Sequence, residues 1–262
     1  MSSAFFEYCE SLWKSWLEGR LVASPFVDGA FDLDAAPEPY LSFRTGASPL
    51  FVLTTNPGGT MPHQLKSSVA AGAGPLNASM SYAAAASALG AFYEDPHNLK
   101  GPANRRIAAL QSLARLVGRD GVFQVEACPF HSESFPGKGA FLDSLDTDGL
   151  LSEYVGRVQS FLRDRPVVIV AAVSTQVSLG PSLQLSKWLL WQANLAGLDL
   201  VAARFIPLVE RRGKVTCGAF VSGEGEAVKA LVLMMGGNHL PGNSGLVTLS
   251  KAMLAVAPGR PA

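Results

Sequence analysis

The sequence predicts an α/β fold of three layers, α/β/α. A central, mostly parallel four-stranded sheet is expected, with an additional antiparallel hairpin. Three observations predict it. Apolar runs of strand length recur at 50–53, 167–173 and 230–235, with a further strand at 122–128, and continuous apolar runs belong to strands buried on both faces. Segments with helical spacing separate them, the pattern of a parallel sheet covered by helices. Two further strand patterns, 200–208 and 214–221, are joined by Glu210-Arg211-Arg212-Gly213; so short a connection makes its flanking strands antiparallel.

Taken in order, residues 3–21 set Phe5, Phe6, Cys9, Leu12, Trp13, Trp16 and Leu17 at helical spacing, with Ser2 or Ser3 as cap. Residues 22–48 are rich in Pro, Asp and Ala and are expected to be irregular; with the first helix they make an N-terminal extension, 1–48. Leu50-Phe51-Val52-Leu53 ends abruptly at Thr54-Thr55-Asn56-Pro57-Gly58-Gly59, as a buried strand opening into a loop does. The stretch 60–102 is rich in Ala, Gly and Ser, with a helix expected at 80–93. Residues 103–118 repeat Ile107, Leu110, Leu113, Ala114, Leu116 and Val117 with a helical period. A strand at 122–128 stops at Pro129, and helix 150–162, strand 167–173 and helix 182–196 follow, the last closed by Gly197. After the hairpin, strand 230–235 opens into a polar loop, and a last helix runs over about 246–254. The tail 257–262 is expected to fray. With neither repeat nor linker in evidence, residues 1–262 are expected to form a single domain.

The chain is 48% hydrophobic and 16% charged, with 21 Lys and Arg against 21 Asp and Glu. Such a composition excludes extended disorder. Zero net charge excludes a general polycation for nucleic acids or membranes but not a local basic groove. Cys9, Cys128 and Cys217 are odd in number and widely spaced, which indicates reduced thiols and rules out a cluster held by four cysteines. Glu7 and Glu10 interrupt the apolar N-terminus, unlike a signal peptide. No apolar stretch of about 18 residues offers a membrane span. The expectation is a soluble, cytoplasmic monomer without a membrane partner.

Ligands of open α/β sheets bind beyond the carboxyl ends of the strands. Three strands here end in unusual polar loops: Asn56-Pro57-Gly58, Glu126-Ala127-Cys128-Pro129-Phe130-His131-Ser132, and Asn238-His239 through Ser244. On a parallel sheet the three converge on one rim.

These loops, in this order, resemble the uracil-DNA glycosylase superfamily. Its members carry Asn-Pro-Gly after the first strand, here Asn56-Pro57-Gly58. The single-strand-selective branch has Asn-x-Cys-Pro after the second, here Glu126-Ala127-Cys128-Pro129. The family's last strand ends in His-Pro-Ser-Pro, often followed by Asn, where this chain has His239-Leu240-Pro241-Gly242-Asn243-Ser244. The likeness covers roughly residues 48–256.

The resemblance implies a uracil-DNA glycosylase-like fold and a monofunctional DNA glycosylase. Such an enzyme flips a nucleotide into a pocket and hydrolyses its N-glycosidic bond, leaving an abasic site. The implied partner is DNA, single- or double-stranded, bearing a damaged or modified base. The transition state separates a cationic sugar from an anionic base, so the site needs a positioned water and donors to the departing base. By match, Asn56 holds the water and His239 hydrogen-bonds the leaving base; these are the expected catalytic residues. Pro57 and Gly58 belong to the base-binding loop. Leu240, Gly242, Asn243 and Ser244 match the DNA wedge and its phosphate contacts, with Leu240 as the apolar plug. Glycines at 58 and 242 let backbone amides approach phosphates closely.

The departures carry information. Where the family asparagine reads the uracil edge, this chain has Glu126. A carboxylate only accepts hydrogen bonds and repels uracil O4, so Glu126 implies another base, one presenting an exocyclic amine or a sugar hydroxyl. The sharper expectation is a hypermodified base, as in phage DNA, with the small residues of 67–88 leaving room for its bulk. The competing expectation is a catalytically silent DNA-binding module of the same fold. A third is a rim that binds a small metabolite.

Other residues have a functional and a plain reading. His131 and Ser132 either line the pocket or are ordinary loop polar residues. Tyr82, Phe92, Tyr93 and Phe130 either stack on a flipped base or pack the core. Lys100, Arg105, Arg106, Arg115 and Arg119 either face phosphates or form a solvated helix face. Arg211, Arg212 and Lys214 sit at a hairpin tip, where charge commonly blunts a sheet edge. Cys128 and Cys217 read as small buried residues. His63, His97, His131 and His239 have no metal-ligand spacing, and no hydrolase elbow or nucleotide-binding glycine motif occurs. No metal and no cofactor are expected.

Overall fold

A computed structural model of the chain describes residues 3–43, 46–95, 97–98, 102–223, 227–236 and 240–256. Its strands are β1 (Tyr40–Phe43), β2 (Leu50–Thr54), β3 (Val122–Glu126), β4 (Val167–Val173), β5 (Arg204–Arg211), β6 (Lys214–Ser222) and β7 (Lys229–Met235). Its helices are α1 (Ser3–Leu17), α2 (Pro25–Ala30), α3 (Lys66–Ala71), α4 (Tyr82–Glu94), α5 (Pro102–Leu116), α6 (Lys138–Ser144), α7 (Gly149–Leu162), α8 (Lys187–Ala196) and α9 (Asn243–Ala255). The α/β class therefore stands.

The strands make one seven-stranded sheet in the order β1-β3-β2-β4-β7-β6-β5. The expected four-stranded sheet with a separate hairpin is corrected on two counts. The hairpin β5–β6 continues the sheet, because β6 pairs antiparallel with β7 from Cys217↔Met234 to Ser222↔Lys229. The segment expected to be irregular, 22–48, contains helix α2 and strand β1. Ser24 caps α2 by accepting from the Val27 amide, and Pro25 sits in its first turn.

The residues cluster in two compact units, each assembled from three stretches of chain: 1–42, 55–92 and 124–161 in the first, and 43–54, 93–123 and 162–262 in the second.

In the first unit, α1 buries the stripe Phe5, Cys9, Leu12, Trp13 and Trp16, as its spacing requires. The indoles are tied as well as buried: Trp13 donates to the Met80 carbonyl and Trp16 to the Leu33 carbonyl, each at 3.0 Å. Phe5 stacks on Phe161 at 4.3 Å. Helix α4 lies close on β1, because at Gly90 a Cβ would stand 2.0 Å from the Ser42 carbonyl oxygen.

The second unit holds the parallel part of the sheet. Phe51, Val52 and Leu53 of β2 pair with Val167, Val168 and Ile169 of β4. The whole of β4 pairs with β7, from Val167↔Lys229 to Val173↔Met235. Strands β2, β4 and β7 run the same way, so their carboxyl ends share one edge. β7 is buried along nearly its whole length, which explains its uninterrupted apolar run. Lys229 opens it, buried, its ammonium donating to the carbonyl of Leu162 at 2.6 Å and to that of Arg165. Among the described residues no helix is long and apolar enough to cross a membrane.

Candidate functional site

The strand order reverses at β2, which has β3 on one side and β4 on the other. An α/β sheet opens its ligand crevice beyond the carboxyl end of a strand in that position. Thr55, Asn56, Pro57 and Gly58 follow directly from β2.

Two of the three loops singled out in the sequence meet in the first unit. The Cys128 amide donates to the Thr55 carbonyl and the Ser132 amide to the Gly58 carbonyl, both at 2.9 Å. Between these backbone staples, Asn56 Nδ2 donates to Ser132 Oγ at 3.0 Å. That bond orients the half-buried Asn56 amide and commits one of its donors. Gly58 stands at φ +90 with open space where a Cβ would point, so its glycine is required by backbone conformation.

Behind the loops lies a buried polar group of which the sequence indicated only His131. His131 is 1% exposed, its Nε2 3.7 Å from Oε1 of Glu38, itself 2% exposed. Gln64 donates from Nε2 to the same Glu38 oxygen and accepts from the Met61 amide at 2.6 Å. Asp32 joins through the backbone, its amide donating to the His131 carbonyl at 2.9 Å. Burial pushes the His131 imidazole down to about 4, against the smaller opposing pull of the Ala36 and Gly58 backbones, Asp32 and the Gly59 backbone. The ring is therefore neutral at pH 7. Glu38 and Gln64 had no local signal, since the partners lie 93 and 67 positions from His131 in the chain.

The remaining expected site residues fall as follows. Glu126 is 1% exposed, its Oε1 accepting from Gln124 Nε2 at 2.6 Å. Period-two alternation could have signalled this pair, as residues two apart share a strand face. Phe130 is buried against Phe31, ring centres 6.1 Å apart. Tyr82 is buried; its hydroxyl donates to the Tyr40 carbonyl at 2.7 Å and its ring meets Tyr40 edge-on at 4.9 Å. Burial holds its phenol well above the usual range. Cys128 and Cys217 are buried thiols; burial raises both, Cys217 to about 12, so neither is a ready nucleophile.

The third loop belongs to the second unit. Asn238 and His239 lie outside the described residues, as do Lys100 and the tail 257–262. Leu240 is half-buried, and Gly242 is the N-cap of α9. The expected wedge therefore ends at Gly242: Asn243 and Ser244 form the first turn of α9, exposed. Among the described residues no three His, Cys, Asp or Glu side chains gather as a metal site would require.

Compared with protein-family models, curated proteins and solved structures, the chain matches none.

Proposed function

We propose that the protein is a DNA glycosylase that hydrolyses the N-glycosidic bond of a flipped, modified base and leaves an abasic site. The observation that carries this reading is the fixed Asn56 amide at the carboxyl end of β2, held by Ser132 between two backbone staples. An amide held that way has its carbonyl oxygen to orient a water, while being too weak a base to take its proton. Bond breaking then rests on departure of the base, in line with the resemblance of the three loops. In this reading His239 donates to the leaving base and Leu240 fills the vacated stack. Glu126 accepts from an amine or hydroxyl of the base, and Phe130 and His131 back the pocket.

The bond between Glu126 and Gln124 favours one alternative, a catalytically silent module that holds DNA without cutting the glycosidic bond. That carboxylate is already engaged inside the protein.

The test is base release. Single- and double-stranded oligonucleotides carrying uracil, hydroxymethyluracil, hypoxanthine, or plain or glucosylated hydroxymethylcytosine are incubated with the protein, then treated with alkali. The glycosylase reading expects strand breaks at one modified base, reduced about a hundredfold or more in Asn56→Ala. DNA binding with no breaks on any substrate selects the silent module. Absence of both points to a small metabolite.

A further inference from the structure

We propose that the β5–β6 hairpin is a basic finger that grips the phosphate backbone of nucleic acid at the rim of the sheet, an inference that rests on the reading of DNA as substrate.

Four features of the second unit converge on it. First, the hairpin overhangs. Pairing of β6 with β7 ends at Cys217↔Met234, while β5 and β6 pair on to Arg211↔Lys214. Residues 214 and 215 thus run on for about 7 Å, at roughly 3.3 Å per residue, past Met235, the carboxyl end of β7. β2, β4 and β7 all end at that edge, the edge that binds ligands in such sheets. Second, the hairpin is bent where the overhang begins, with register shifts between Pro207, Val209 and Glu210. Bulges re-aim a strand and concentrate beside active sites. The first turn of α9 packs there, since at Gly245 a Cβ would lie 3.1 Å from the Leu208 carbonyl oxygen.

Third, the tip is net basic, with three cationic side chains against one acid, Glu210. Arg211, Arg212 and Lys214 are exposed and form no ion pair among the described residues. Arg211 and Lys214 are direct cross-strand partners, and like charges placed so are destabilising. Fourth, Arg212 has φ 50, the sole positive φ at a non-glycine among the described residues. Asn or Gly commonly fills the first position of such a turn, beside Gly213 at φ 72. Two unfavourable choices at one exposed tip are not required by the hairpin itself. Charge that only protected the edge strand β5 would not need a left-handed arginine in the turn. Flexible cations on an overhanging arm match a repeating phosphate.

The experiment measures binding of a fluorescent 20-mer of ordinary DNA, single- and double-stranded, between 50 and 300 mM NaCl. The wild type is compared with Arg211→Gln/Arg212→Gln/Lys214→Gln, and with Arg20→Gln as a charge control elsewhere. The expected result is a slope of log affinity against log salt that is shallower by about 2–3 in the triple variant, as about 0.9 is lost per phosphate contact. Affinity at 50 mM should fall at least about tenfold, with the control unchanged. Arg212→Gly should raise the melting temperature by about 2 °C while weakening binding, which separates a function from a folding defect. An unchanged slope, no DNA binding by the wild type, or a stronger hairpin-dependent affinity for anionic phospholipid vesicles than for DNA overturns the proposal. Ordinary DNA carries no base to release, so the two readings fail separately. Hairpin-dependent binding without base release defeats only the glycosylase reading. Base release with an unaltered salt slope defeats only the finger.

Discussion

A histidine buried beside a carboxylate makes stability depend on pH. His131 titrates near 4 in the folded chain and near 6.5 when unfolded. Between those values the unfolded state binds more protons, so folding stability is full above about pH 6.5 and falls as pH drops toward 4. The loss amounts to roughly 3 kcal/mol. Chemical denaturation of the wild type and His131→Gln across pH 4–7 should show the variant with the flatter curve; parallel curves would remove His131 as the cause. The neighbouring Ser132 acts differently. Ser132→Ala takes away the oxygen that holds Asn56 and should lower kcat of base release about tenfold, leaving KM and the melting temperature nearly unchanged. A rise in KM alongside the fall in kcat would mean that Ser132 contacts substrate.

At the scale of elements, β7 begins on a buried cation. Burial lowers the Lys229 ammonium to about 8 from 10.5. The unfolded chain binds the extra proton between those values, so this residue's contribution makes stability rise with pH from 8 to 10.5. The stability difference between wild type and Lys229→Met should shift in favour of the wild type over that window, measured by urea unfolding. Helix α4 offers a steric test: Gly90→Ala sets a methyl group against the Ser42 carbonyl and should cost about 2–4 kcal/mol, whereas Gly156→Ala in α7, with open space at its Cβ, should not.

The same elements show what was legible beforehand. β2, β4 and β7 stood out because burial on both faces writes an unbroken apolar run. Tyr40-Leu41-Ser42-Phe43 did not, since four residues among prolines carry no period. Helices α3 and α6 have six and seven residues, too few for a 3.6-residue repeat to show. The hairpin was readable from its turn, but not its seat on β7, because strand register is a long-range property. In the site, Asn56 and Ser132 were named separately and their bond spans 76 positions. Glu38 and Gln64 were missed because what matters about them is burial, which the Pro-rich segments around them conceal.

For the molecule as a whole, the path of the chain matters as much as its elements. It crosses between the two units after residues 42, 54, 92, 123 and 161. No single cut releases either unit complete. A fragment of residues 162–262 keeps β4–β7, α8 and α9 but lacks β2, which pairs with β4. Expressed alone it should be insoluble or melt without cooperativity; a sharp calorimetric transition from that fragment would show the remainder to be dispensable for its folding.

The two loop staples also make a clock. The amides of Cys128 and Ser132 are held by the Thr55 and Gly58 carbonyls across the candidate site, so their protons trade with deuterium only when the loops part. Their exchange rates time that opening with no substrate in hand. Any compound that slows both together has seated itself on these loops, whatever chemistry it goes on to undergo.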